Sequence, residues 1–498
     1  PSLVGSEMCI RDRFPSDALT DMEAGSTSGA GYTNGAGSSE YKMLSYFARV
    51  NYTLMDRYLF EVNMRADASS RFHKDHRWGY FPSFSAGWRM SEESFMKDIE
   101  WINNLKIRAS YGTLGNINNV GNYDYFQNYS SGNHYNFSDS PVIGIGESKP
   151  ANETLGWEKV ALTDIGLDFD IFNGLLGVTA DYYIKNTSDI LLGYNVPTET
   201  GITAAPSQNI GKVKNTGFEL ALNHRNKIGA VNYSIGANIA TNKNKITNLG
   251  GSDNIIQTSS YIVKYILKKG ESIGSFYGFK TDGLYTQADI DAGHYYTLSG
   301  VVPNAGDIKF VPQRDIEYKQ EITDEDRTIL GKDVPDFTYG VNLSLQYKGF
   351  EFSMFGQGIS GTKVAFDVYG VHPFYHGQDS PRKYHLKRWT EENPNPHAAY
   401  PRIYSASSVH TTYNRNFSDY HLFDSDYFRF KTLSLGYTVP SATVKNWGLQ
   451  SLKVYVTGEN LFTVRADKKM EDFDPETAGG VIYTLGTKSV AFGVNISF

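Results

Sequence analysis

The sequence predicts an all-β fold, a transmembrane antiparallel β-barrel, from three observations. Apolar and polar residues alternate with period 2 over about thirteen segments of spanning length, roughly 9–11 residues per crossing. Short and long breaks between those segments alternate along the chain. The composition is aromatic and Gly-rich, with 35 Tyr, 29 Phe and 48 Gly against 17 Pro in 498 residues, which suits strands with aromatic girdles at two membrane interfaces. A helical membrane protein is excluded, because it needs runs of about 18 or more apolar residues and none exists at a mean hydropathy of −0.41. A net charge of −7 without any basic block argues against a nucleic-acid partner. The single Cys9 rules out an internal disulfide framework.

From the start of the chain, residues 1–13 begin at Pro1 without Met and lack the charged-then-apolar order of a signal peptide. They read as a non-native, adapter-derived segment. Residues 14–41, with a Gly/Ser-rich run at 25–39, read as a flexible extracellular loop remnant. The strands are expected at 42–53, 57–69, 80–91, 103–114, 158–170, 174–186, 212–224, 230–242, 337–348, 350–361, 426–439, 450–461 and 487–498. Val231, Tyr233, Ile235, Ala237 and Ile239 alternate with Asn232, Ser234, Gly236, Asn238 and Ala240. Val341, Leu343 and Leu345 alternate with Asn342 and Ser344, and Val490, Phe492, Val494, Ile496 and Phe498 close the chain. A helix would spread such residues around its circumference, whereas a strand sorts them onto two faces. The aromatic C-terminal Phe498 is expected to guide assembly into the membrane.

Asn173-Gly174 and Lys348-Gly349 predict tight hairpins, and 54–57 and 225–229 are nearly as short. The breaks 115–157, 187–211, 243–336, 362–425 and 462–486 are long and rich in Asn, Gly, Ser and Tyr. Long structureless connections count against an ordinary soluble domain, but a barrel has short periplasmic turns and long extracellular loops. Parity then assigns 92–102 and 440–449 to the short side as small helices or turns. It makes the strand-like stretch 273–286 a local element inside a long loop. A soluble sandwich or propeller also alternates, but no blade-like repeat is present.

Several runs resemble the SusC/RagA family of TonB-linked outer-membrane transporters. They include Arg77-Trp78-Gly79-Tyr80-Phe81-Pro82, Asn215-Thr216-Gly217-Phe218-Glu219 and Gly306-Asp307-Ile308-Lys309-Phe310. Further on come Pro335-Asp336-Phe337-Thr338-Tyr339-Gly340, Asp426-Tyr427-Phe428-Arg429-Phe430-Lys431, Gly458-Glu459-Asn460-Leu461-Phe462 and Asp474-Pro475-Glu476. The resemblance implies a plugged barrel of about 22 strands, of which 42–498 would form the C-terminal part, with the plug and TonB-contacting segment lying upstream. It implies TonB-dependent import of a bulky nutrient, an oligosaccharide or peptide, across a Gram-negative outer membrane. The expected partners are a SusD-type surface lipoprotein, the TonB complex through the missing N-terminal part, and outer-membrane lipid. A passive barrel or surface adhesion structure without energy coupling is the alternative.

The polar face is expected to line the lumen with Arg49, Glu61, Arg65, Asp67, Arg89, Arg108, Asp164, Asp168, Asp181 and Glu219. The long loops offer Phe374, Tyr375, His376, Trp389, Tyr400, Tyr404 and Tyr413 for substrate or lid contact, since aromatic faces stack on sugar rings and side chains. Loop-on-loop packing is the competing reading of these aromatics. No enzyme chemistry, cofactor or metal is expected. Gly356-Gln357-Gly358-Ile359-Ser360-Gly361 has the letters of a dinucleotide fingerprint without the helix it needs. His73-Lys74-Asp75-His76 reads as a surface loop. Where the family often carries a calcium-loop-like stretch, this chain keeps acid only at Thr323-Asp324-Glu325-Asp326-Arg327, which reads as a solvated loop.

Overall fold

A computed structural model describes residues 39–137, 140–193, 207–258, 262–366, 372–374, 380–476 and 486–498. Residues 1–13 and most of 14–41, on which two of the expectations fall, lie outside the described residues. The wall is a meander of thirteen strands, each antiparallel to the next. They are β1 (Met43–Leu54), β2 (Tyr58–Ser69), β3 (Trp78–Arg89), β4 (Ile102–Asn116), β5 (Glu158–Ile171), β6 (Leu176–Gly193) and β7 (Ser207–Ile228). Then follow β8 (Val231–Thr241), β9 (Phe337–Tyr347), β10 (Phe350–Ser360), β11 (Tyr427–Thr438), β12 (Ser451–Arg465) and β13 (Ser489–Ser497). A further short strand, Lys243–Leu249, pairs with the outer end of β7.

The register carries the alternation from strand to strand. Ile235, Leu343, Met354 and Leu433 sit side by side on one face, as do Tyr233, Leu345, Phe352 and Leu435. On the other face Ser234, Ser344, Ser353 and Ser434 form the equivalent row. A one-residue slip would exchange the faces, so the pairing is strongly specified. The apolar face is open: Val50 is 65% exposed, Ile165 57% and Phe492 85%. So large an unburied surface is what a bilayer covers and a soluble sandwich would bury. Aromatics gather at both rims of that face. Tyr46 stacks on Trp78 at 6.0 Å and Tyr339 on Phe428 at 6.1 Å toward the long loops. Trp101 meets Phe172 at 5.9 Å and Phe350 meets Tyr437 at 4.6 Å toward the short turns. Tyr339 and Tyr347 are eight residues apart on β9, roughly 27 Å along a strand, enough for a tilted crossing. No helix among the described residues is long and apolar enough to cross a membrane.

Short and long connections mostly alternate; the exception is 70–77, a short turn on the long-loop side. Lys348 (φ 46°) and Gly349 (φ 90°) join β9 to β10 as a two-residue hairpin whose positive φ values match the strand twist. A Cβ at Gly349 would come 2.7 Å from the Thr438 carbonyl oxygen. A 3-10 turn at Met90–Glu92 and a helix at Ser441–Lys445 occupy the other wide breaks on this side. On the opposite side the loops fold into bodies of their own. The expected local element at 273–286 becomes Ser275–Gly278 and Lys280–Leu284, in small sheets apart from the wall.

Two boundaries differ from expectation. The sixth and seventh strands run to 18 and 22 residues and stand well above a bilayer. The register shifts between Thr187 and Ile190, where Asp189 has a φ of 59°. The bulge breaks the alternation, so the pattern read along the sequence stops at the bulge while the pairing continues.

Candidate functional site

The polar face of the wall is built from paired charges. Arg49 bonds Glu61, and Arg65 reaches Asp67 at 2.9 Å. The largest cluster centres on Arg108 of β4. Its guanidinium lies 2.8 Å from Asp181, 3.1 Å from Asp168 and 3.6 Å from Asp164. Lys106 also meets Asp168, at 3.6 Å. Gly166 sits between Arg108 and Asp181 in the register. A Cβ there would fall 2.3 Å from Asp181 Oδ1 and 2.6 Å from Arg108 Cζ, so glycine is what lets the two side chains meet. Glu219 is the direct partner of Asp181 on β7 and adds a further acid. Arg89 stands apart from this group: it donates to the Asp56 carbonyl at 3.3 Å and ties down the first short turn.

A second network latches a long loop onto the wall. Tyr427, Arg429 and Lys431 project from β11 toward Glu476, with distances of 3.0, 2.8 and 2.7 Å. Arg429 also binds Asp474 at 2.6 Å, and only 5% of its side chain is exposed. Burial works to raise both carboxyls, but Arg429 and Lys431 outweigh it and hold both below the usual range. The loop after β12 is therefore fixed by two motifs some 45 residues apart in sequence. Sequence reasoning had these residues only as family motifs. The signal available was the same-face spacing of Tyr427, Arg429 and Lys431 opposite an Asp-Pro-Glu run.

The two longest loops share one core, made by Phe279, Leu284, Ile308, Phe310, Trp389 and Tyr413 among others. Asp307 ties them together. Its fully buried carboxylate accepts from His410 Nδ1 and from Asn414 Nδ2, both at 2.8 Å. Gly306, with φ 89°, presses against Trp389; a Cβ would be 2.5 Å from the indole. This corrects the expectation for two loop aromatics. Trp389 is 6% and Tyr413 1% exposed, so neither is available to a ligand. Loops this long must bury apolar surface to hold a conformation, and these rings provide it. Tyr400 and Tyr404 are half-buried: Tyr400 meets His372 Nδ1 at 3.1 Å, and Tyr404 stacks on His410 at 4.9 Å. Phe374 is exposed, at 44%. Tyr375 and His376 lie outside the described residues.

Between the loop body and the rim of β8 to β11 lies a cleft of about 780 Å³. Asn244, Ser272, Lys332, Asp336, Thr362 and Lys363 are among its lining residues. Interspersed donors and acceptors of this kind suit a polar ligand rich in hydroxyls or amides.

The rejected motifs also find their places. Residues 356–361 end β10 and lead into another strand, Lys363–Ala365, so no helix N-terminus is available for a phosphate. His73 pairs with Asp75 at 3.3 Å within the turn between β2 and β3. Asp326 is filled from inside the protein: Arg314 donates at 2.7 Å and backbone N–H groups of Gln313, Arg314 and Thr323 at 3.0 Å. Burial raises this carboxyl, yet Arg314 and the amides hold it at about 2.

The profile of the TonB dependent receptor-like, beta-barrel family matches residues 11–461. The chain belongs to the TonB-dependent receptor β-barrel family. It is an outer-membrane protein, and its wall is part of a receptor barrel of the SusC/RagA type. It is 32% identical over 431 residues to TonB-dependent receptor P3 of Formosa agariphila, covering 85% of this chain and 41% of that one. With TonB-dependent receptor SusC of Bacteroides thetaiotaomicron the identity is 29% over 467 residues, 91% of this chain and 43% of the relative. The RagAB peptide transporter structure superposes with a TM-score of 0.73 at 25% identity, covering 97% of this chain and 50% of that one. The RagAB peptide importer in the open-open state gives 0.75 at 24% identity, with the same coverage. The chain thus spans about half the length of the relatives it matches. Members of this receptor family are transporters and receptors rather than catalysts.

Proposed function

We propose that this chain forms half of a TonB-dependent importer that brings a bulky nutrient, an oligosaccharide or peptide, through the outer membrane. The carrying observation is the division of labour across the wall. One face suits lipid, the other bears paired charges around Arg108, and the long loops form a folded body with a polar cleft at its base. A charged inner wall suits a plug that must be held and released, because ion pairs reform readily in water. A SusD-type surface lipoprotein would close over the loops, and TonB would act through an upstream plug. The RagAB structures, described as a peptide importer and transporter, support the peptide half of the substrate reading.

The test is uptake of labelled oligosaccharide and peptide pools by cells carrying the full-length receptor. Uptake should stop when the proton motive force is dissipated or the neighbouring lipoprotein gene is deleted. Uptake that continues without energy coupling would favour the passive barrel.

A further inference from the structure

The loops after β10 and β12 meet at two 3-10 turns, Lys383–Lys387 and Lys468–Asp472. They are joined by the Tyr384 backbone N–H, which donates to Asp472 at 3.2 Å. Beneath them Tyr384, Met470 and Phe473 belong to one buried cluster, which fixes the two turns against each other. Between the turns is a pocket of about 440 Å³, whose lining includes Lys383, Lys387, Lys468 and Lys469.

None of these four lysines has a carboxylate partner among the described residues; Lys469 only lies over the Tyr420 ring at 5.1 Å. Some lysines elsewhere on this side of the wall are paired. Lys309 pairs with Asp289 at 3.3 Å, Lys149 with Asp124 at 3.1 Å, and Lys431 with Glu476 at 2.7 Å. Four lysines against two acids, Glu471 and Asp472, leave the lining with an excess of positive charge. Clustered like charge on a rigid concavity raises the local concentration of the opposite ion. It is also unexpected on a chain of net charge −7. Leu386, 76% exposed, borders the pocket and supplies the apolar surface on which a sugar ring can lie.

We propose that this pocket recognises a sulfate, phosphate or carboxylate group borne on a sugar chain. Two sources share that chemistry: an acidic oligosaccharide arriving for import, and the phosphorylated sugars of lipopolysaccharide in the surrounding leaflet. The first source rests on the import reading; the pocket's chemistry does not.

The experiment uses the purified full-length receptor, with labelled sulfated dextran oligosaccharide and unsulfated dextran of equal length as probes. The sulfated probe should bind roughly tenfold more tightly at low salt, and the difference should vanish at high salt. The variant K383Q/K387Q/K468Q/K469Q should lose the discrimination while keeping its heat-modifiable mobility. Mass spectrometry of co-purified lipopolysaccharide separates the sources: a fall in the variant assigns the pocket to lipid, and an unchanged amount assigns it to imported glycan. Equal binding of both probes by the wild type, with lipopolysaccharide unchanged in the variant, overturns the proposal. The assay involves no transport, so failure of uptake and failure of anion binding are separate results.

Discussion

At the scale of single residues, the wall is a sorting device. Val341 and Leu343 lie on the open apolar face, with Asn342 and Ser344 on the other. Arg at Val341 or Leu343 in the full-length receptor should cost about 2–4 kcal/mol near the bilayer midplane, and Arg at Asn342 or Ser344 little. Heat-modifiability gels report this directly, and equal tolerance at all four positions would remove the face assignment. Arg429 makes a different kind of contribution. Replacing it with Gln leaves the half-buried Asp474 without its paired cation and Glu476 with Lys431 alone, a loss of about 1.5–3 kcal/mol. The expected outcome is protease cleavage within 466–476 in the variant and resistance in the wild type. Resistance in both would mean that the latch contributes nothing.

At the scale of elements, the strands were legible and the loops were not. All thirteen strands follow from period-2 alternation because each strand is its own membrane crossing and must present two unlike faces. The bulge at 187–190 concealed the outer parts of β6 and β7, since a bulge reverses parity without ending the pairing. In the loops the logic inverts. Trp389 and Tyr413 look like ligand contacts in sequence, yet they pack into a core shared by segments about 100 residues apart. No local pattern encodes that pairing. The charge clusters were half legible: Arg108, Asp168 and Asp181 could be placed on the polar face, but their convergence depends on Gly166, whose missing side chain carries no signal. The loop body also has a pH dependence. The His421 imidazole, buried against Phe417 and Tyr420, is pushed down to about 4 by burial, and burial pushes His372 down too. In the unfolded chain a histidine titrates near about 6.5. The unfolded state therefore binds more protons between those values, so stability is lost as pH falls from about 6.5 to about 4. Limited proteolysis of the loops should accelerate across that window, and H421Q should flatten the dependence. A rate constant across the window would contradict it.

At the scale of the whole molecule, a lipid-covered wall carries a folded body on one side only, and the proposed import depends on which side that is. If the long loops face the medium, the cleft is open to the proposed nutrient and lid. If they face the periplasm, neither can. Ser407 lies exposed within the loop between β10 and β11. The decisive measurement is labelling of Ser407→Cys by a membrane-impermeant maleimide in intact cells, in a full-length receptor with every other cysteine changed to Ser. Labelling in intact cells is expected to be as complete as in lysed ones. Labelling only after lysis would reverse the topology and contradict it.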